Sequence, residues 1–188
     1  YVLWRLLRDP QMNVMVVSAS NQAAMNFSSF CLQLIRGMPE LRHLMPHNDQ
    51  RDSKIQFDVG PATESKDPSV KCVGITGQLT GSRADLIVPD DVETPSNSMT
   101  QQQRDKLSEL VKEFDAILKP GGDIVYLGTP QSEASLYSLL ESRGYSTCVW
   151  PARYVSQSTA EKTYGNRIAS LFVKKVQADP SLVGKSVW

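Results

Sequence analysis

Short apolar runs alternate along this chain with amphipathic helical stretches, and this alternation limits the folds that the chain can adopt. Three such runs are "MNVMVVSAS" at 12–20, "ADLIVPDDVE" at 84–93 and "DIVYLGTPQ" at 123–131. Short runs of this kind, rich in valine, isoleucine and leucine, are typical of strands buried on both faces. Strands that alternate with helices form βαβ units with right-handed crossovers. The sequence therefore predicts an α/β fold with a mainly parallel sheet flanked by helices.

Apolar spacing and capping residues predict the helices. The opening stretch "YVLWRLLRDP" has helical spacing until Asp9 and Pro10 stop it, and Ser20 and Asn21 cap a helix over about 22–36. "TPSNS" caps a long helix that "KPGG" ends, a shorter helix covers 132–144, and the last helix runs over about 159–177. The side chains expected to face the core from these helices are Phe27, Phe30, Cys31, Leu34, Leu107, Leu110, Val111, Phe114, Ile117, Leu118, Leu136, Leu139, Leu140, Tyr164, Ile168, Leu171 and Phe172.

Two further strand predictions come from alternation and turn residues. "KIQFDVG" at 54–60 and "SVKCVGI" at 69–75 flank "PATESKDP", which predicts an antiparallel hairpin inserted into the fold. "YSTCVW" at 145–150 is predicted to be a strand.

Composition excludes several classes of protein. The 188 residues have a net charge of zero, so a nucleic-acid contact requires a local basic patch rather than a global field. Three widely spaced cysteines indicate a reduced, cytoplasmic protein without a disulfide framework. His43 and His47 lie in a turn-like segment and are interpreted as solvated residues rather than metal ligands. No apolar run approaches the ~18 residues that span a membrane.

Acidic residues follow the apolar run at 84–88. In parallel sheets ligands bind at the carboxyl ends of the strands, where Asp90 and Asp91 are expected to lie. A carboxylate at such a strand end can hold Mg²⁺, and its neighbour can orient a water for attack on a phosphate. An Asp-Asp pair is equally common in turns and helix caps, so the pattern alone leaves both interpretations open.

Polar residues end two other predicted strands. Thr129 and Gln131 in "VYLGTPQ" have the chemistry to sense a γ-phosphate, and they are also ordinary turn residues. The helix that begins within "SASNQAA" has an N-terminus that either binds a DNA phosphate or is simply capped. Lysines and arginines around the hairpin, at positions 51, 54, 66 and 71, could touch DNA, although solvation is the simpler interpretation.

A phosphate-binding loop of the form G-x-x-x-x-G-K-[ST] is missing from this sequence. "GKS" at 184–186 fails the pattern because Asp179 stands at the position of the first glycine, and only two residues follow, too few to form a helix. The opening helix has neither a cap nor an initiator methionine, so we expect the loop to lie upstream of Tyr1.

The order and spacing of several motifs resemble one protein family. "GSRAD", "DDVE", "PSNS" and "YLGTPQ", within the segment 81–154, resemble the large terminase subunits of tailed bacteriophages, in particular the short-tailed, podovirus-like branch. The resemblance implies a RecA-like (ASCE) P-loop NTPase core. It also implies that residues 1–188 are a partial ATPase domain, with the P-loop upstream and a metal-dependent nuclease domain downstream.

The resemblance also implies roles for individual residues. Asp90 would be the Walker B residue that holds the Mg²⁺ of ATP, and Asp91 would be the catalytic base, with Glu93 as the alternative. Arg83 is a candidate arginine finger across a subunit interface, or a plain surface residue. The residues implied to form a coupling motif that relays the γ-phosphate state are Gly128, Thr129 and Gln131.

The cofactors implied are ATP and Mg²⁺, and the expected location is the host cytoplasm with transient attachment to the procapsid portal. The partners implied are double-stranded DNA, the portal protein, a small terminase subunit and further copies of the chain in a ring, commonly a pentamer, with no membrane. Two alternatives remain: a helicase-like ATPase fragment, and a catalytically silent scaffold that binds DNA or a protein partner. A glycine-rich phosphate loop upstream of Tyr1 would favour a motor, and a start codon there would favour the scaffold.

Overall fold

A computed structural model describes residues 1–187, and Trp188 lies outside the described residues. The chain forms two compact units, Tyr1–Ser138 and a second unit that begins at Leu139. Among the described residues, no helix is both long enough and apolar enough to cross a bilayer.

The first unit is built on a five-stranded sheet. Its strands are β1 (Val14–Ser18), β2 (Gln56–Phe57), β3 (Val70–Gly74), β4 (Ala84–Asp90) and β5 (Leu118–Ile124), in the order β2-β3-β1-β4-β5. β1 pairs in parallel with β3 and β4, and β4 pairs in parallel with β5, whereas β2 is antiparallel to β3. The prediction of a mainly parallel α/β sheet is confirmed, and the sheet is mixed because of β2.

Side chains of β1 alternate between two apolar cores. Val14 and Val16 belong to a core that includes residues of α1 (Val2–Arg8) and α2 (Asn21–Gly37). Met15 and Val17 belong to the opposite core, which residues of the helix α4 (Gln101–Ile117) complete. Every residue of β1 is buried, which explains why the strand is an uninterrupted apolar run rather than an alternating one.

Two predicted elements of the first unit differ in their extent. The hairpin forms, but β2 has only two residues, with Gln56 opposite Lys71 and Phe57 opposite Val70. "TPSNS" does not cap the long helix: it forms the short helix α3 (Pro95–Ser98). The long helix α4 (Gln101–Ile117) has its own capping box between Thr100 and Gln103.

The "KPGG" segment does not separate helix from strand as predicted. β5 begins at Leu118, directly after α4, and Leu118 pairs with Ala84. The next pair is Leu86 with Asp123, so residues 119–122 of β5 form an irregularity inside the strand. Gly121 has a φ of 77°, a conformation that glycine adopts without the steric cost of a Cβ atom.

The inner face of α2 differs from the predicted stripe. Cys31 is buried as expected, but Phe30 is 56% exposed. The buried residues of α2 share one face, formed by Ala24, Ser28, Cys31, Leu32 and Ile35. Phe30 lies to the side of this face, whereas Phe27 and Leu34 are partly buried against its core.

The helix predicted over 132–144 is shorter than expected. It consists of α5 (Leu136–Leu140) and a 3-10 turn at Glu141–Arg143, which Gly144 ends with a φ of 91°. Leu136 and Leu140 are buried as predicted, whereas Leu139 is 46% exposed.

The second unit, residues 139–187, has little regular structure, and two predictions for it are wrong. The strand predicted at 145–150 is reduced to one isolated bridge between Val149 and Ile168. The helix predicted over 159–177 is broken into α6 (Gln157–Thr159), a π turn (Ala160–Tyr164), a 3-10 turn (Gly165–Arg167) and α7 (Ser170–Ala178), followed by a 3-10 turn at Pro180–Leu182. The break coincides with Gly165, whose φ of 58° is incompatible with a continuous α-helix.

Aromatic side chains form the small core of the second unit. Phe172, on α7, packs edge-on against the ring of Trp150 at 5.4 Å and against the ring of Tyr154 at 5.6 Å. Phe172 was predicted to face inward, and it is 4% exposed. Leu171, predicted to face the same way, is 48% exposed.

Candidate functional site at the carboxyl edge of the sheet

The register of the parallel strands brings their carboxyl ends together. Ser18 at the end of β1 is paired with Gly74 of β3 on one side and with Asp90 of β4 on the other. Beyond the end of β5, Leu127 bridges to Asp90. The polar strand ends that the sequence predicts separately are therefore neighbours along one edge of the sheet.

Asp90 and Asp91, here called the acid pair, occupy the end of β4 and the turn that follows. Asp91 has a φ of 45°, in the left-handed region that asparagine and aspartate tolerate better than most residues. Its backbone N–H donates to the carbonyl oxygen of Leu127 at 3.0 Å. The turn therefore holds the exposed side chain of Asp91 next to the half-buried side chain of Asp90.

The environment of Asp90 disfavours its charge. Burial, and then the neighbouring charge of Asp91, raise the pKa of Asp90 above its ordinary value of 3.8. Within residues 1–187 no hydrogen-bond donor contacts the Asp90 carboxylate to offset these costs, and a cation would offset both.

The acid pair fits a magnesium ion that keeps most of its water. The described residues contain no group of three or more histidine, cysteine, aspartate or glutamate side chains placed to hold a metal. Mg²⁺ commonly binds through one or two carboxylates, and substrate phosphates and water supply the other ligands. The donors at Asp90 and Asp91 match this mode of binding and do not match an all-protein metal cage.

The raised pKa of Asp90 predicts a pH-dependent effect of Asp90→Asn on stability. Because the folded pKa lies above the unfolded one, ionisation of Asp90 destabilises the fold as pH rises through that window. We expect Asp90→Asn, without magnesium, to raise the free energy of unfolding at pH 7 and to change it little at about pH 3. Urea unfolding at both pH values measures this, and an equal effect at both would contradict the assignment.

Glu93, the alternative candidate for the catalytic base, is buried and hydrogen-bonded by other residues of the protein. Its side chain is 2% exposed, and both carboxylate oxygens accept hydrogen bonds. One oxygen accepts from the backbone N–H of Gln131 at 3.2 Å, and the other accepts from Ser135 Oγ at 3.0 Å and from the backbone N–H of Leu136 at 2.6 Å. The role of Glu93 as a base remains a prediction, and the contacts of its carboxylate favour a structural role.

Residues 128–131, here called the polar loop, follow the end of β5. Gly128, Thr129 and Gln131 are all exposed, and the side-chain amide of Gln131 donates to the carbonyl oxygen of Thr129 at 3.1 Å. Because the loop follows Leu127, which bridges to Asp90, it starts beside the acid pair. The structure thus brings together two motifs that lie about 40 residues apart in the sequence.

Tyr137 is a residue at this site that sequence reasoning missed. Its hydroxyl donates to the carbonyl oxygen of Leu127 at 3.3 Å, and its ring occupies the space that a Cβ atom on Gly128 would need. Burial, together with the charges of Asp91, Glu93 and Asp90, raises the pKa of Tyr137 to about 12, which keeps the hydroxyl protonated as a donor. In the sequence it is one aromatic residue in a predicted helix, which does not indicate a site.

The N-terminus of α2 is capped by its own residues. The Ser20 hydroxyl accepts from the backbone N–H of Ala23 at 3.2 Å and so caps the helix, while the Asn21 side chain accepts from the backbone N–H of Gly74 in β3 at 2.8 Å. Of the two interpretations of "SASNQAA", these contacts favour capping.

Arg83 lies at the opposite end of β4 from the acid pair. Its guanidinium donates to the carbonyl oxygen of Ala116, near the C-terminus of α4, at 2.7 Å. A strand of seven residues spans roughly 20 Å, so Arg83 does not reach the acid pair of its own chain. Its role across a subunit interface remains a prediction.

The fold and site define an α/β protein with a carboxylate pair and a polar loop at the carboxyl edge of a parallel sheet. No protein-family model matches the chain. Over 174 residues, 91% of its length, the chain is 53% identical to the "Terminase, large subunit" of Enterobacteria phage T3. The chain spans 30% of the length of that relative. The resemblance to a large terminase subunit is thereby confirmed, and the matching residues align with part of that relative.

Proposed function

We propose that this chain is part of the ATP-hydrolysing, DNA-translocating region of a phage DNA-packaging protein, with a RecA-like P-loop NTPase core. The observation that carries the proposal is the acid pair at the carboxyl end of β4, beside the polar loop. It occurs in a chain that is 53% identical to a large terminase subunit. Parallel α/β sheets bind their ligands at this edge.

The acid pair divides the chemistry between two environments. Asp90, half-buried and without a hydrogen-bond donor among the described residues, would hold Mg²⁺, which neutralises charge on the phosphates of ATP when it is bound. Asp91, exposed on a fixed turn, would orient and accept a proton from the water that attacks the γ-phosphate.

The polar loop offers groups that can respond to the nucleotide. Thr129 has a hydroxyl and Gln131 an amide, both exposed next to the acid pair, and both can donate to phosphate oxygens. In the proposed function this loop senses whether a γ-phosphate is present and passes that state to parts of the protein that grip DNA.

The partners that follow from this proposal are double-stranded DNA, a portal protein, a small terminase subunit and other copies of the subunit in a ring. The contact with DNA would be mainly to phosphates, because packaging acts on any sequence. Around the hairpin, Arg51 donates to Asp58 and to three loop carbonyls, and Lys71 donates to Ser82 at 2.7 Å. Of the four hairpin cations, exposed Lys54 and Lys66 are therefore the better candidates for such a contact.

ATP hydrolysis by the full-length gene product tests the proposal. We expect it to hydrolyse ATP in the presence of Mg²⁺ and to do so faster when linear duplex DNA is added, whereas residues 1–188 alone hydrolyse little. A full-length protein that binds DNA but neither binds nor hydrolyses ATP would refute the proposal and favour a silent scaffold. Strand separation coupled to hydrolysis would favour the helicase-like alternative.

A further inference from the structure

The buried carboxylate of Glu93 holds one end of the segment that contains the polar loop. Its three donors are the backbone N–H of Gln131, the hydroxyl of Ser135 and the backbone N–H of Leu136. Gln131 is the last residue of the polar loop, and Leu136 is the first residue of α5. Hydrogen bonds to a charged acceptor are stronger than neutral ones, and a buried carboxylate that loses its donors is costly.

Tyr137 holds the other end of the same segment. Its hydroxyl bonds the carbonyl oxygen of Leu127, and its ring lies against Gly128, the first residue of the polar loop. The backbone of Tyr137 is also fixed, because its N–H donates to the Ser135 hydroxyl at 3.2 Å. Two side chains thus hold the polar loop, one at each end.

The backbone around Glu93 is itself fixed. Val92, which lies between the acid pair and Glu93, is fully buried, and its carbonyl oxygen accepts from the Asn97 side chain at 2.8 Å. The same side chain accepts from the backbone N–H of Thr94 at 2.8 Å. Glu93 therefore connects two fixed points, the turn that carries the acid pair and the end of the polar loop.

We propose that Glu93 and Tyr137 are positioning residues that set the place of the polar loop relative to the acid pair, and that Glu93 is not the base. This inference rests on the proposed function for its effect on catalysis. Its structural part, the attachment of Gln131 and Leu136 to Glu93, stands independently. In the proposed reaction Glu93 and Tyr137 keep Thr129 and Gln131 where they can meet a phosphate of the ATP whose Mg²⁺ would be held at Asp90.

Amide hydrogen exchange in the 188-residue chain tests the structural part. In Glu93→Gln one acceptor oxygen is replaced by an NH₂ group, so at least one of the two backbone amides loses its acceptor. We expect exchange at Gln131 or Leu136 to become about tenfold faster or more. Glu109→Gln, on the exposed face of α4, is the matched control and should change neither amide. Unchanged exchange at both amides in Glu93→Gln would overturn the proposal.

Kinetics of the full-length protein test the catalytic part. We expect Glu93→Gln and Tyr137→Phe each to lower kcat for ATP hydrolysis by about tenfold or more and to change KM for ATP little, because the loop is misplaced. Tyr137→Phe keeps the ring against Gly128 and removes only the hydroxyl, so it folds even if Glu93→Gln does not. Tyr154→Phe, a buried tyrosine of the second unit, is the matched control and should retain wild-type kcat.

The exchange experiment and the kinetic experiment together distinguish failure of the positioning role from failure of the proposed function. Loss of hydrolysis in Glu93→Gln with unchanged amide exchange would make Glu93 the base and overturn the positioning role. Wild-type kcat in Tyr137→Phe would overturn the part assigned to Tyr137. If the wild-type full-length protein does not hydrolyse ATP, the proposed function fails, and the exchange experiment still decides whether Glu93 holds the loop.

Discussion

Phe114→Ala is expected to lower the free energy of unfolding of this chain by about 3–5 kcal/mol. Phe114 is fully buried on α4, in the core shared with Met15 and Val17 of β1, and its ring lies 6.1 Å from the ring of Tyr126. The substitution removes the apolar contacts of the ring and leaves a cavity between α4 and the sheet. Native domains are stable by only about 5–15 kcal/mol, so this loss is a large part of the total.

Phe30→Ala on α2 is the matched control for this experiment. Because Phe30 is 56% exposed, we expect its removal to change stability by less than about 1 kcal/mol. Urea unfolding followed by circular dichroism gives both values. Equal losses in the two variants would mean that α2 packs through the stripe predicted from the sequence, contrary to the structure.

Asp91→Asn in the full-length gene product is expected to lower kcat for ATP hydrolysis by about 10²–10⁴-fold, the usual contribution of a general base. Asparagine has almost the same shape and tolerates the left-handed conformation that Asp91 adopts, so the turn should survive. Steady-state kinetics, with the melting temperature measured in parallel, separate the loss of chemistry from a loss of structure.

Asp115→Asn, at an exposed position of α4, provides the comparison for Asp91→Asn and should hydrolyse ATP at the wild-type rate. Wild-type turnover in Asp91→Asn would exclude Asp91 as the base. A lowered melting temperature that accounts for the loss would assign Asp91 to the turn rather than to the reaction.

Much of the first unit could be predicted from local patterns. β1 and β4 coincide with the apolar runs, α2 begins at its predicted cap, and α4 buries Leu107, Val111, Phe114 and Ile117 as its spacing predicts. These features depend on residues a few positions apart, which periodicity and capping rules describe. The second unit was predicted poorly, because its small aromatic core rather than any repeated pattern organises the chain.

The candidate site, like the fold, was predictable from the sequence only in part. A strand that ends in Asp90 and Asp91 predicts where the acids lie, and the motif order predicts the resemblance to large terminase subunits that the phage T3 relative confirms. The exposure of Phe30 was not predictable, because the spacing of apolar residues left the rotation of α2 open, and the packed face is the one with Ala24, Ser28, Cys31, Leu32 and Ile35.

The sequence by itself determined the α/β class, the central strands and the position of the acid pair at a strand end, because each depends on short-range periodicity. Only the tertiary structure decided which donors bind the Glu93 carboxylate, since Leu136, the closest of them, lies 43 residues further along the chain. Tyr137 and Gly128 lie closer in sequence, but they meet only because the segment after β5 folds back on itself, which no repeating pattern of residues predicts. Hydrogen-bond partners distant in sequence are selected by the assembled sheet, and no local pattern records them.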